Sequence, residues 1–231
     1  MFNYRKKILN YFYIFLLIHL VIWTLVPTLT NNNLPLDTIE ALAWGSNLDW
    51  GFGKHPPASA FFVEIFYFFF GNNDWDYYLL SQIFVIFSFF IVFKVSEKIF
   101  NDKILGILSV LLLEGIYFYN FTTPEFNVNV CQLPFWSLVV YFSWEIFDKK
   151  IINFYDITYL AIFAAIGFLS KYLFIYILIT IFILFFYQIK ILKERKFDFK
   201  YIISLEIFFV LLIPHFIWLF QTDFITFTYA F

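Results

Sequence analysis

From residue 8 to residue 26 the chain reads ILNYFYIFLLIHLVIWTLV, with no Asp, Glu, Lys or Arg. About 20 apolar residues is the length that crosses a hydrocarbon core as a helix. Further apolar runs, each with at most one charged residue, lie at 79–95, 104–119, 128–146, 155–170, 172–189 and 201–220. No water-soluble surface can be assembled from what is left. Of 231 residues, 62% are hydrophobic, 38 are Phe and only 14% are charged, where soluble domains are about a quarter charged. Inside lipid the backbone must satisfy its own hydrogen bonds. The expectation is an all-α, polytopic transmembrane helical bundle of about seven spans.

The distribution of charge gives an orientation. With the N-terminus cytoplasmic, the inner segments hold all but Lys54 and Lys171 of the 15 Lys and Arg residues, as the positive-inside rule asks. Arg5, Lys6 and Lys7 precede the first run, and no small-residue cleavage site follows it. It therefore reads as an uncleaved first span rather than a signal peptide. The net charge of −2 offers no basic surface for nucleic acid. The single Cys131 excludes a disulfide framework.

Between the first two long runs lies LPLDTIEALAWGSNLDWGFGKHPP, residues 34–57. This outer stretch is crowded with Asp37, Glu40, Asp49, Lys54, His55, Trp44 and Trp50. Residues 38–47 suit a short helix lying in the interface. Residues 58–70 suit a second one or a half-inserted one, before GNNDWD breaks the pattern. The Ser170-Lys171-Tyr172 junction leaves almost no loop, so the fifth and sixth spans should form a tight hairpin.

Each polar motif has more than one reading. Asp37 and Glu40 share a helix face at this spacing and suit general-base chemistry on a hydroxyl or amine. The same D-x-x-E pattern is a capping box, and spacing alone favours the cap. Lys54 of KHPP is a point-like cation suited to phosphate, with two prolines stiffening the backbone beside it, or it is an interfacial lysine touching headgroups. Glu125 in TTPEFN orients an acceptor, binds a metal or caps the following span. Lys171 contacts a phosphate or snorkels. His215, after Pro214, has no partner in view. A divalent metal is a weaker reading: His55, Glu125 and His215 could converge on one from three outer segments, and spacing says nothing about it.

Taken together, D-x-x-E-A-x-x-W-G and D-W-G-x-x-K-H-P-P at 37–57, T-T-P-E-F at 122–126, G-F-L-S-K-Y at 167–172 and P-H-F-I-W at 214–218 resemble motifs of one family, in the same order along the chain. That family is the polyprenyl-phosphate-dependent glycosyltransferase family 39, which includes the protein O-mannosyltransferases and has the aminoarabinose transferase of lipid A as a close relative. The resemblance implies the C-type glycosyltransferase fold, with interfacial helices in the first outer loop, residues 27–78, and an active site on the outer face of a plasma (bacterial inner) membrane. It implies a polyprenyl-phosphate-linked sugar as donor and a lipid, glycan or protein as acceptor. Asp37 then matches the base. Glu40, His55, Glu125, Lys54 and Lys171 would contact substrate, the two lysines near the donor phosphate. Thr38 stands where many relatives carry a second acid. Family members are longer, so residues 1–231 would be the N-terminal transmembrane portion of such an enzyme, or a truncated non-catalytic relative that binds a polyprenyl lipid or a partner subunit.

Overall fold

The structure, a computed structural model, describes residues 2–149, 151–193 and 196–229, and the side chains from Lys7 onward within them. Lys150 and Arg195, counted in the charge balance above, lie outside the described residues, as do the side chains of Arg5 and Lys6. The order is α1 (Phe2–Thr30), α2 (Leu36–Gly45), α3 (Ala58–Phe70), α4 (Asp74–Phe100), α5 (Lys103–Glu114), α6 (Val128–Asp148), α7 (Phe154–Ser170), α8 (Ile175–Phe186), α9 (Lys200–Gln221) and α10 (Ile225–Thr228). Among the described residues there is no strand.

A helix stands at each of the seven apolar runs. Five are long and apolar enough to cross a membrane: Lys7–Thr30, Asp74–Phe100, Val128–Asp148, Tyr172–Leu192 and Lys200–Gln221. The run at 104–119 stops at Glu114. Gly115 ends the helix with its N–H on the Leu111 carbonyl, and Tyr117–Tyr119 continues as a single 3-10 turn. The run at 155–170 is a shorter apolar helix, Phe154–Ser170. The run at 79–95 begins earlier than expected, because Asp74 and Asp76 belong to the first turn of α4 and Lys98 to its last. These charges sit at the ends the helix dipole favours.

The chain divides into two compact units. The first comprises Met1–Leu48 and Ser59–Ser137, the second Asp49–Ala58 and Leu138–Phe231. The 27–78 stretch is therefore not one body, since residues 49–58 belong with the later helices.

In the first unit α1 meets α4 through aromatic rings, and α5 packs on α4 with Gly106 against the Phe93 ring. Phe12 stacks on Phe93 at 4.3 Å and Phe15 on Phe89 at 6.3 Å. Asn101, in the left-handed conformation, turns the chain from α4 to α5, and the Asp102 carboxylate caps α5 by accepting from the Ile104 N–H at 2.7 Å. Helices α2 and α3 are the two short helices expected. They approach at Gly45, where a Cβ would lie 2.9 Å from the Ala60 carbonyl.

In the second unit α7 and α9 lie side by side, and Phe142 of α6 stacks on Phe163 of α7 at 5.6 Å. Lys149 at the end of α6 bridges Glu145 at 2.8 Å and Asp156 at 2.6 Å. The junction is as tight as expected, although α7 packs on α9 rather than along α8. Helix α7 ends at Ser170, Lys171 alone is extended, and a 3-10 turn over Tyr172–Phe174 leads into α8. The turn closes because Gly167 has no side chain: a Cβ there would meet the buried Phe174 ring at 2.3 Å. Gly167→Ala should lower the thermal midpoint, at the ~1–3 kcal/mol typical of overpacking. Gly167→Ala with Phe174→Leu should recover most of it. Unfolding followed by tryptophan fluorescence in detergent checks this, and an unperturbed Gly167→Ala protein would refute the contact.

Candidate active site

Helix α2 begins without a cap of its own. Its N-cap position is Pro35, which has no acceptor side chain. Asp37 is not the cap of a capping box; it lies inside the first turn. Side chains at an N-cap ordinarily accept from the second or third backbone N–H of the helix. Here that acceptor comes from 88 residues away: the Glu125 carboxylate takes the Asp37 N–H at 3.1 Å. The next residue strengthens the link, since the Thr38 hydroxyl donates to the Phe126 carbonyl at 3.1 Å, with both residues buried.

Nor does Glu125 cap the span that follows it. Asn127 does so, its Oδ1 accepting from the N–H groups of Asn129 at 2.9 Å and Val130 at 3.2 Å. That use of Oδ1 orients the amide. Its Nδ2 then donates to Asp37 Oδ2 at 3.4 Å, a long bond. Asp37, Glu125 and Asn127 thus form one cluster at the positive end of a helix, where carboxylates are favoured. Burial raises the Glu125 carboxyl above its ordinary range. The bond from the Asp37 N–H pulls it back down, and the neighbouring Asp37 charge raises it further. Glu40 lies one turn along α2 and is half-buried.

Lys54 and His55 belong to the second unit, both half-buried. Their loop is anchored by its carbonyls. His215 Nδ1 lies 2.6 Å from the Trp50 carbonyl, and the Thr226 hydroxyl donates to the Phe52 carbonyl at 2.9 Å. The Phe52 N–H closes a turn onto the His55 carbonyl at 3.0 Å. A carbonyl only accepts, so His215 Nδ1 carries a proton. Its Nε2 faces the Tyr172 hydroxyl at 2.9 Å. Gly51 lies flat on Trp218, where a Cβ would come within 2.4 Å of the ring. His215 therefore does have partners, and its role is to hold this loop. Lys171, next to Tyr172, is half-buried, and burial lowers the pKa of its ammonium.

Of the expected site residues, the structure brings Asp37 and Glu125 together, and ties the segment leading to Lys54 and His55 to Tyr172, the neighbour of Lys171. Sequence reasoning gave no role to Asn127, Thr38, Tyr172 or Thr226. Asn127 carried a usable signal, as an Asn just ahead of an apolar run. Among the described residues no group of three or more His, Cys, Asp or Glu is placed to hold a metal ion.

These features define a polytopic helical membrane protein with a carboxylate pair at the mouth of a short helix and a lysine-bearing loop. The chain belongs to the dolichyl-phosphate-mannose-protein mannosyltransferase family, whose sequence model matches residues 54–218. It is thus a member of a membrane glycosyltransferase family. No curated protein and no solved structure matches the chain. The family match takes in Lys54, His55, Glu125, Lys171 and His215; Asp37 and Glu40 precede it.

Glu125→Gln keeps an oxygen for the Asp37 N–H and removes the charge that burial disfavours. A carboxyl raised in the folded state costs stability as pH climbs from its unfolded toward its folded value, and costs nothing when protonated in both states. The Glu125→Gln midpoint should therefore match or exceed wild type at neutral pH, with the advantage vanishing in acid. Glu125→Ala, which removes the charge and the cap together, should lie about 1 kcal/mol below Glu125→Gln at every pH. Thermal unfolding across the acid-to-neutral range decides; equal losses for both variants at neutral pH would refute the assignment.

Proposed function

We propose that the protein transfers a sugar from a polyprenyl-phosphate donor to a hydroxyl or amine acceptor on the outer face of the membrane, with Asp37 as general base. The observation that carries this is the placement of the Asp37 carboxylate. It is held by the Asn127 amide, sits at a helix N-terminus and is only partly buried. In the reaction the acceptor heteroatom bonds to the anomeric carbon and its proton passes to Asp37. The bond from that carbon to the phosphate oxygen breaks, and polyprenyl phosphate leaves with the electron pair. Positioned proton transfer of this kind contributes about 10²–10⁴-fold.

The other roles follow from chemistry and from the family. Glu125, beside Asp37, suits the orientation of an acceptor donor group. Glu40 and His55 are further substrate contacts. Lys54 and Lys171 suit the leaving phosphate, because a fixed cation in a partly dry setting stabilises charge as it develops. Burial already weakens the hold of Lys171 on its proton, so an anion that restores it would gain from the contact. The asymmetry of basic residues supports placing these loops outside and the N-terminus in the cytoplasm.

Asp37→Asn is a clean test. An asparagine oxygen still accepts from Asn127, and the backbone N–H still reaches Glu125, so the fold is retained while the base is lost. Membranes carrying the variant, given labelled polyprenyl-phosphate mannose, should show transfer reduced at least about 100-fold. Wild-type rates from Asp37→Asn would remove Asp37 from the chemistry. Donor binding without transfer by the wild-type chain would make it a non-catalytic relative.

A further inference from the structure

His19 lies midway along α1, 3% exposed, ringed by Phe15, Trp23 and Phe89. A polar side chain in such a span is costly and marks a function unless fully partnered. Its partners are unusual in where they lead. His19 Nε2 is 3.0 Å from Gln82 Oε1, and His19 Nδ1 is 2.9 Å from Glu114 Oε2. The second approach is off the direction of a hydrogen bond.

The orientation of Gln82 is set from its other side. Its Nε2 donates to Thr123 Oγ1 at 3.4 Å, while the Thr123 hydroxyl has carbonyl acceptors of its own, Tyr119 O at 3.1 Å and Asn120 O at 3.3 Å. The Ser81 hydroxyl donates to the Thr123 carbonyl. Gln82, Ser81 and Thr123 are all 0% exposed. Two residues beyond Thr123 stands Glu125, and then Phe126, whose carbonyl receives the Thr38 hydroxyl. A continuous polar chain therefore runs from the interior of α1, through α4, to the loop that caps α2, entirely within the first unit.

Packing does not require this chain. The three helices already pack on one another, α1 on α4 through aromatic rings and α5 on α4 at Gly106, and apolar residues at such positions are often as stabilising as a buried pair. What the polar version adds is direction. We propose that His19, Glu114 and Gln82 are positioning residues for the acidic pair: they fix Thr123, and through it the placement of Glu125 against the first turn of α2. The activity consequence rests on the Asp37 reading above; the positional one does not.

The test uses Gln82→Leu, which cuts the chain at its middle, and Thr123→Val, which keeps the shape and removes only the hydroxyl. Hydrogen exchange on the full-length protein in nanodiscs should show the amides of 121–127 exchanging at least about tenfold faster, with α1, α4 and α5 unchanged. Transfer should fall in kcat by about tenfold or more, since misplacement of ~1 Å can cost about 100-fold, with donor KM within about twofold. Combined with Glu125→Gln, either change should add little further loss, because coupled residues are not additive. Unchanged exchange in 121–127 in both variants overturns the proposal. So does faster exchange spread over all three helices, which marks a purely stabilising network, or a loss that multiplies with that of Glu125→Gln. Should the wild-type protein transfer no sugar, the Asp37 reading fails and the exchange measurement alone still decides this one.

Discussion

The first turn of α2 exists because Glu125 supplies the acceptor that Pro35 lacks. A helix start leaves several N–H groups without partners, and one buried without an acceptor costs about 1–3 kcal/mol. Drawing that acceptor from the Thr122–Asn127 loop makes two distant loops fold as one object. Asn127 tightens the arrangement, because the same side chain caps α6 through its oxygen and reaches Asp37 through its nitrogen. The entry of one helix and the entry of another are thereby set together. Two carboxylates are brought close where a helix dipole offsets part of their repulsion, and burial, with the Asp37 charge adding to it, holds the Glu125 carboxyl above its ordinary range.

The second unit solves a related problem differently. Residues 49–57 contain Gly51, Gly53, Pro56 and Pro57, a composition that supports neither helix nor ladder. Near lipid an unpaired carbonyl is expensive. His215 and Thr226 satisfy the carbonyls of Trp50 and Phe52 with side chains, and Gly51 lets Trp218 lie against the backbone itself. The loop bearing Lys54 is thus anchored without secondary structure. A histidine inside a span, which from sequence alone invites a ligand or proton-transfer role, here is a clamp whose tautomer is dictated by the carbonyl it holds.

What was legible in the sequence was whatever one segment decides alone. The apolar runs located the helices, the Ser170-Lys171-Tyr172 junction marked a tight turn, and residues 38–47 and 58–70 read as short helices. What was not legible depended on partners far along the chain. Asp37 and Glu40 carry the local pattern of a capping box, yet Glu125 overrides it, so the commoner local reading gave way to a tertiary one. Glu114 fell unremarked inside the run at 104–119 and is the end of its helix, beside a histidine that passed unremarked in ILNYFYIFLLIHLVIWTLV. The division between Leu48 and Asp49 leaves no mark in composition at all, since polar loop residues lie on both sides of it.

The family match and the geometry bear on different parts of the site, and that difference carries the argument about Asp37. The matched range begins at Lys54, so likeness to the family over that range says nothing of the carboxylate proposed as base. But the groups that hold Asp37 lie inside the matched range: the Glu125 oxygen on its N–H, the Asn127 amide on its carboxylate and the Phe126 carbonyl on its neighbour. A loop whose side chains and backbone converge on one acidic residue of another segment would be over-built if that residue were only a helix start, since a serine at position 35 could have capped α2 locally at about the same free energy. The long-range solution does something a local cap does not. It brings a second carboxylate beside Asp37 and makes the position of each depend on the other.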